Sequence, residues 1–356
     1  MNSSVKRIIA LILPLLLLLS GCGAIKSEES SLQRFSGSFF GCFDCTVTLI
    51  AFCRTQESFD ALLAEVKEEF LRYHKLYDIY NSYPDIVNVK SLNDHAGKGA
   101  LKVPEEILEL LTLGKQMYSL TDGRMNIAMG SVLKLWHDVR EYNNAFPDAA
   151  VLPDRAELEE AAAHCDIEKL IIDRENGTAE LADGDMRLDV GAIAKGYAAE
   201  CVARKLIDEG WVHVTLNAGG NARILGPKPD GSCWNVGIIE PDINSPKDYA
   251  DAVAVEHGSV VTSGSYQRYF TYDGERYHHI IDPASLRPEN RYLSVSVLLE
   301  NSGMGDALST ALFNMDYEDG IRFTEGLDGV EAMWIFPDNS VKYSSGFRSG
   351  RIDKSN

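Results

Sequence analysis

The stretch Leu-Asp-Val-Gly-Ala-Ile-Ala-Lys-Gly-Tyr, Leu188 to Tyr197, constrains this chain more than any other. An aspartate ends an apolar, strand-like run, small residues follow, and Lys195 comes where an amphipathic helix over Ala198 to Leu206 is getting under way. Such an order builds an anion site. Glycine lets the backbone approach a phosphate, helix-start N–H groups point at it, and one lysine supplies a compact positive charge. A strand-to-helix turn whose glycines serve packing alone would carry the same residues. A partner stretch, Leu-Asn-Ala-Gly-Gly-Asn-Ala-Arg from Leu216 to Arg223, reads as a strand and a turn that passes very near something, or as a tight turn without a ligand. A further glycine- and hydroxyl-rich piece spans Val261 to Phe270.

The N-terminus reads as a targeting segment. Lys6 and Arg7 precede an apolar run from Ile8 to Leu19, the length of a signal-peptide core and short of the roughly 20 residues a bilayer span requires. It ends in Leu19-Ser20-Gly21-Cys22, which resembles the bacterial lipoprotein box. The expectation is a signal peptide over residues 1–21, a lipidated Cys22 with a polar tether to residue 36, and one domain over residues 37–350. The mature protein is then lipid-anchored at the extracytoplasmic face of the cell membrane.

A chain of 356 residues can build one large α+β domain or split in two. Its net charge of −19 and its lack of a Lys/Arg cluster exclude a nucleic-acid surface. After Cys22 come Cys42, Cys45, Cys53, Cys165, Cys201 and Cys233. Cys42-x-x-Cys45 has no second pair or histidines with it, so free thiols or one local disulfide fit better than zinc.

Periodicity predicts a strand over Thr46 to Phe52 and a helix over Ser58 to Tyr77, with Phe59, Leu62, Leu63, Val66 and Phe70 on its apolar face. A second helix starts at Pro104 and runs to about Ser119. Tyr80 and Asn93 are candidates for a pocket rim or members of a plain surface loop, Arg140 to Asp154 reads as an excursion loop, and Arg155 to Ala163 as a short helix. Asp273-Gly274 signals a hairpin. His278-His279-Ile-Ile-Asp-Pro follows, its histidines structural or catalytic. Last, Gly305-Asp306-Ala-Leu-Ser-Thr310 is read as opening a helix. Asp306 and Thr310, four apart, share a face of it, as hard oxygen donors for Mg2+ or as a cap and a back-bonding threonine.

Taken together in order and spacing, Leu188 to Tyr197, Asn-Ala-Gly-Gly-Asn, Thr-Ser-Gly-x-Tyr-x-Arg-Tyr-Phe, His-Ile-Ile-Asp-Pro and Asp-Ala-Leu-Ser-Thr-Ala closely resemble the ApbE family of FAD:protein FMN transferases. The resemblance runs from about Thr46 to Phe336. It implies a single α+β domain of mixed, largely antiparallel sheet with flanking helices, and FAD as donor. It also implies required Mg2+, and transfer of FMN to a threonine or serine hydroxyl of a target protein with release of AMP, the targets being membrane electron-transfer subunits.

By position, the resemblance implies FAD contacts at Asp189, Lys195, Ile281 and Asn126, and a metal held by the Ala192 carbonyl with Asp306 and Thr310. His279 and Asp306 take the catalytic positions. Two places depart from the family pattern. Arg124-Met125-Asn126 stands where Ala-Phe-Asp is common, and Phe43-Asp-Cys45 where Met-Gly-Thr is usual. Cleaving a diphosphate requires stabilisation of charge on the bridging and leaving oxygens, which a metal and a lysine provide electrostatically. Two rivals remain open at this stage, a Mg2+-dependent FAD pyrophosphatase and a non-enzymatic flavin-binding lipoprotein.

Overall fold

A computed structural model describes residues 32–242 and 245–347; Cys22 and the expected signal peptide lie outside them. The first element is a hairpin of β1 (Gln33–Cys42) and β2 (Cys45–Cys53), turned at Phe43 and Asp44 with φ of 53° and 51°. The sheet therefore begins at Gln33, inside the segment expected to be tether. On β2, Val47, Leu49, Ala51 and Cys53 are buried on one face, the period of two that a half-buried strand imposes.

Helix α1 (Gln56–Tyr77) starts where Thr55 accepts the Ser58 N–H. Its Phe59, Leu62, Val66 and Phe70 recur every three or four residues and pack on the hairpin, Phe59 stacking on Phe35 at 5.7 Å. Next come α2 (Val89–Asp94), β3 (Leu101–Lys102) and α3 (Glu105–Leu120), the last entered from Pro104. Helix α4 (Gly130–Ala145) overturns part of the loop expected from Arg140. The buried faces of Trp136 and Asn143 keep the helix going, and the Asn143 amide then clamps the Val151 backbone in both directions, at 2.8 and 2.9 Å. A capped helix α5 (Arg155–Ala162) and the strands β4 (Leu170–Asp173) and β5 (Thr178–Leu181) follow, the strands completing a small sheet in the order β3-β5-β4.

Helix α6 (Ala194–Asp208) precedes β6 (Val214–Ala218) and β7 (Asn221–Ile224), and β8 (Trp234–Ile239) with β9 (Tyr249–Val255) forms a separate hairpin. Then come β10 (Gly258–Gly264), the Asp273-Gly274 hairpin of β11 (Tyr269–Tyr272) and β12 (Glu275–His278), and the short β13 (Ile281–Asp282) and β14 (Arg287–Pro288). The chain continues as β15 (Ser294–Leu299), α7 (Ser302–Phe313), α8 (Tyr317–Glu325), β16 (Glu331–Ile335) and β17 (Val341–Tyr343).

Eight strands form the main sheet, in the order β1-β2-β6-β7-β10-β15-β16-β17, every neighbouring pair antiparallel. Helices α1, α3, α6 and α7 cover one face, where Leu49, Leu216, Val297 and Trp334 meet Phe70, Leu111, Ala199 and Leu308. The β8–β9 hairpin covers the other, setting Trp234, Ile238 and Val253 against Ile224, Val260 and Met333. Each fully buried Leu, Val or Phe in these layers contributes about 1.5–3 kcal/mol, so the layers hold the sheet against its helices. The result is the expected α+β architecture with a largely antiparallel sheet. A third cluster, Trp136, Leu158, Phe270, Tyr277 and Ile281, ties α4 and α5 to the β11–β12 hairpin.

Candidate active site

The Leu188 to Tyr197 stretch is placed by backbone clamps. Asn93, read in the sequence as a pocket-rim residue, instead grips Leu188: its amide donates to the Leu188 carbonyl at 3.0 Å and accepts the Leu188 N–H at 2.7 Å. The Asp189 N–H donates to the Ile127 carbonyl at 2.9 Å. Asp189 is thereby delivered to the wall of a cavity of about 470 Å³, a volume within the range of small-molecule and cofactor sites. Its Oδ1 accepts the Gly191 N–H at 2.8 Å, and burial pushes its carboxyl above the usual carboxylate range.

Helix α6 begins at Ala194, four residues before the helix expected from periodicity, because Ala194 N–H already bonds the Val190 carbonyl at 2.8 Å. Lys195 and Gly196 therefore lie in the first turn, where backbone N–H groups are free to take an anion. The carboxylate there is Asp306: its Oδ2 accepts the Gly196 N–H at 2.9 Å, and Lys195 Nζ stands 3.3 Å from both of its oxygens.

Asp306 does not open its helix. Helix α7 starts at Ser302 with Asn301 capping Met304 N–H, which puts Asp306 second-turn deep and only 4% exposed. Thr310 makes the back-bond to the Asp306 carbonyl at 3.1 Å that the sequence allowed, and its hydroxyl lies 3.4 Å from Ser263 Oγ, itself 2.8 Å from Ser309 Oγ. Ala192, Asp306 and Thr310 all line the cavity, as do Ser263 and Lys195. Carbonyl, carboxylate and hydroxyl are the hard oxygen donors that suit Mg2+ with waters filling its other positions, so these residues fit that ion.

The remaining expected residues lie on the same cavity wall. His279 lines it, with its own N–H bonded to the Arg268 carbonyl at 3.1 Å. The residue is exposed to the open cavity; desolvation by the cavity walls, then the charges of Arg268, His278, Lys195 and Arg140, lower its imidazole pKa. The neighbouring His278 is structural: Ile280 N–H donates to Nδ1 at 3.2 Å, and Nε2 lies 3.2 Å from the Glu289 carbonyl. Ile281 is buried in β13 and faces the cavity. Asn126 also lines it, but the Asn126 amide is committed to the Cys165 carbonyl at 2.9 Å and the Ala128 N–H at 2.8 Å. That amide holds the turn from the cavity wall.

Other lining residues were not singled out from the sequence. Arg268 reaches Phe43 O at 3.5 Å and Asp44 at 3.8 Å across the mouth. Arg124, Arg140, Lys195 and Arg268 offset Asp44, Asp78, Asp189 and Asp306, so the cavity is locally balanced within an acidic molecule. Trp136, Phe270 and Tyr277 stack with ring centroids 5.4–6.5 Å apart and give it an aromatic wall. Arg268 and Phe270 had a sequence signal, their place in the Thr-Ser-Gly-x-Tyr-x-Arg-Tyr-Phe segment, and Phe43, Asp44, Cys45 and Arg124 lie in the two departures from the family pattern. All six cysteines of the described residues are free; Cys45 lines the cavity and packs under Gly219, where a Cβ would stand 2.6 Å from its own. The near neighbour of the Asn-Ala-Gly-Gly turn is thus Cys45.

One further group of potential ligands, His164, Asp183 and Asp185, lies outside the cavity. There Asp183 is already taken by Lys169 at 2.6 Å and His164 at 3.0 Å, an ion-pair node.

The sequence model of the ApbE family matches residues 43–334. This chain belongs to the ApbE family. It is 34% identical over 297 residues to the FAD:protein FMN transferase of Treponema pallidum (strain Nichols), covering 80% of each chain. Its fold is similar to the ApbE protein of Thermotoga maritima MSB8, with a TM-score of 0.76 at 28% identity over 88% of this chain and 97% of that one. The flavin transferase ApbE from Vibrio cholerae is similar at a TM-score of 0.72 and 25% identity, over 89% and 98% of the two chains. Both departures from the ApbE pattern, at Phe43 to Cys45 and at Arg124 to Asn126, sit on the cavity wall.

Proposed function

We propose that this chain is an FAD:protein FMN transferase that moves FMN from FAD to a serine or threonine hydroxyl of an acceptor protein and releases AMP. The observation that carries the reading is the meeting, in one cavity, of Lys195, Asp306, Thr310 and Ala192 with His279 and an aromatic wall. The names of its ApbE relatives support it. In the reaction the acceptor oxygen bonds to the phosphorus of the FMN half, the bond from that phosphorus to the bridging oxygen breaks, and AMP leaves with the bridging oxygen. The hydroxyl proton goes to a base.

Asp306, Thr310 and the Ala192 carbonyl hold Mg2+ in this reading; the ion when bound supplies positive charge to the diphosphate. Lys195 draws its ammonium from Asp306 towards a phosphate oxygen, and the first-turn N–H groups of α6 add partial positive charge. His279, kept neutral, accepts a proton or orients a phosphate. Phe270, Tyr277 and Trp136 offer a flat apolar face to a ring system.

We also read the protein as lipid-anchored through Cys22 on the extracytoplasmic face, with membrane electron-transfer subunits as acceptors; the lipoprotein-box order at Leu19 to Cys22 supports this. The test of function is incubation with FAD, Mg2+ and a candidate acceptor, followed by intact-mass and peptide analysis. FMN on a Thr or Ser is the expected product. FAD converted wholly to free FMN and AMP would replace the transferase by a pyrophosphatase, and unchanged FAD would leave a flavin-binding protein.

A further inference from the structure

Helices α6 and α7 touch with almost no side chain between them at their crossing. A Cβ on Gly196 would stand 2.3 Å from the Ser302 carbonyl oxygen and 2.7 Å from Asp306 Cβ, and one on Gly303 would stand 3.2 Å from Tyr197 Cα. Across this contact the helices exchange carboxylates. Asp306 of α7 accepts the Gly196 N–H of α6 at 2.9 Å, and Glu200 of α6 accepts the Ser302 N–H of α7 at 3.0 Å. Gly196 precedes Glu200 by four residues and Ser302 precedes Asp306 by four, so the two bonds lie about one helical turn apart along each helix.

Glu200 is only 4% exposed, and further donors fix it: Arg223 Nε at 3.0 Å and Arg204 Nε at 3.2 Å. Arg223, 3% exposed, is held in turn by the carbonyls of Ile224 at 2.7 Å and Gly258 at 3.4 Å and by Glu300 at 3.2 Å. Burying a charge is costly unless geometry and partners compensate it. Asn301 caps the Met304 N–H, whereas the Ser302 N–H is buried and takes Glu200 as its partner. Because that partner comes from the neighbouring helix, the Glu200 bond also fixes axial register between the helix bearing Lys195 and the helix bearing Asp306 and Thr310.

We propose that Glu200, aimed by Arg223, is a positioning residue that sets the register of α7 on α6 and so the aim of the Asp306 carboxylate into the cavity. This rests on Asp306 being a metal ligand. The test is Mn2+ titration of the full chain at 25 °C, free Mn2+ being read by electron paramagnetic resonance, alongside thermal melts. Glu200→Gln is expected to raise the Mn2+ dissociation constant about tenfold or more, the scale found when a group orienting a metal ligand is lost. Glu200→Asp, which keeps the charge, is expected to recover part of the affinity. Val253→Ala, a core truncation in β9 on the opposite face of the main sheet, should lower Tm yet leave Mn2+ affinity within about twofold, as distant sites act independently.

Unchanged affinity in Glu200→Gln overturns the proposal, and so does an equal loss in Val253→Ala, which would mean general softening. Wild type that binds no Mn2+ overturns the metal reading and this proposal with it, whereas wild-type binding matched by Glu200→Gln overturns this proposal alone. Should Glu200→Gln fail to melt cooperatively, Arg223→Lys, which keeps the charge and loses the fork, carries the same readout and the same outcomes.

Discussion

His279 lines the cavity from an exposed position, where desolvation and nearby cations favour its neutral ring. Desolvation and the surrounding positive charges lower its pKa, while burial pushes that of His278 down to about 4, so His278 is neutral at physiological pH. For a group depressed on folding, the stability contribution is present above the unfolded value, about 6.5, and is lost as pH falls through the folded one. Two outcomes are expected. Tm falls between about pH 6.5 and pH 4, and kcat/KM of the free enzyme shows no inflection from His279 between about pH 5.5 and 7.5. A wild-type inflection near 6.5 that disappears in His279→Gln would remove the neutral-ring reading. Lys195 carries the second residue-scale prediction. Lys195→Met keeps length and helix propensity but loses one charge-assisted contact, worth roughly 1.5–3 kcal/mol or about ten- to a hundredfold in FAD affinity. Titration followed by flavin fluorescence reads it directly. A ratio below about threefold would strike Lys195 from the site.

Elements show why small residues matter at one crossing. The atoms facing Gly196 are a carbonyl oxygen and a Cβ of the neighbouring helix, neither of which can swing aside as a flexible side-chain tip can. Gly196→Ala must therefore part α6 from α7, and overpacking of this kind costs about 1–3 kcal/mol. We expect Tm to fall by several degrees and transferase activity to fall with it, as judged by thermal melt and FMN transfer. A variant melting within a degree of wild type would mean that the helix contact is looser than its geometry. The hairpin at Asp273-Gly274 has φ of 49° and 79° in its two-residue loop, the left-handed pair that such a loop needs, and it sets β12 so that His279 follows directly at the cavity. Helix α4 outlasted its polar sequence because burial of Trp136 and Asn143 is a tertiary gain that local composition does not display.

At the scale of the molecule, no helix among the described residues is long and apolar enough to cross a membrane, so the proposed attachment rests on Cys22. Cys22→Ala should move the protein from the membrane fraction or leave its signal uncleaved, as fractionation and N-terminal mass would show. A wild type that is cleaved and found soluble would refute the anchor. The sequence alone determined the element types wherever a period was strong, as in β2 and α1. It also determined the family, because ordered motifs at Leu188 to Tyr197 and Gly305 to Thr310 depend on local backbone needs that residue types display. Only the tertiary structure decided which distant groups meet. Lys195 and Asp306 are 111 residues apart, Asn93 and Leu188 95, and Arg268 and Phe43 225. It also decided that Asp306 is buried, that Asn93 and Asn126 spend their amides on backbone, and that Glu200 bridges two helices. The reason is physical: periodicity and turn chemistry act over a few residues, whereas an ion pair or a committed amide depends on how layers pack, and packing is set by the whole chain.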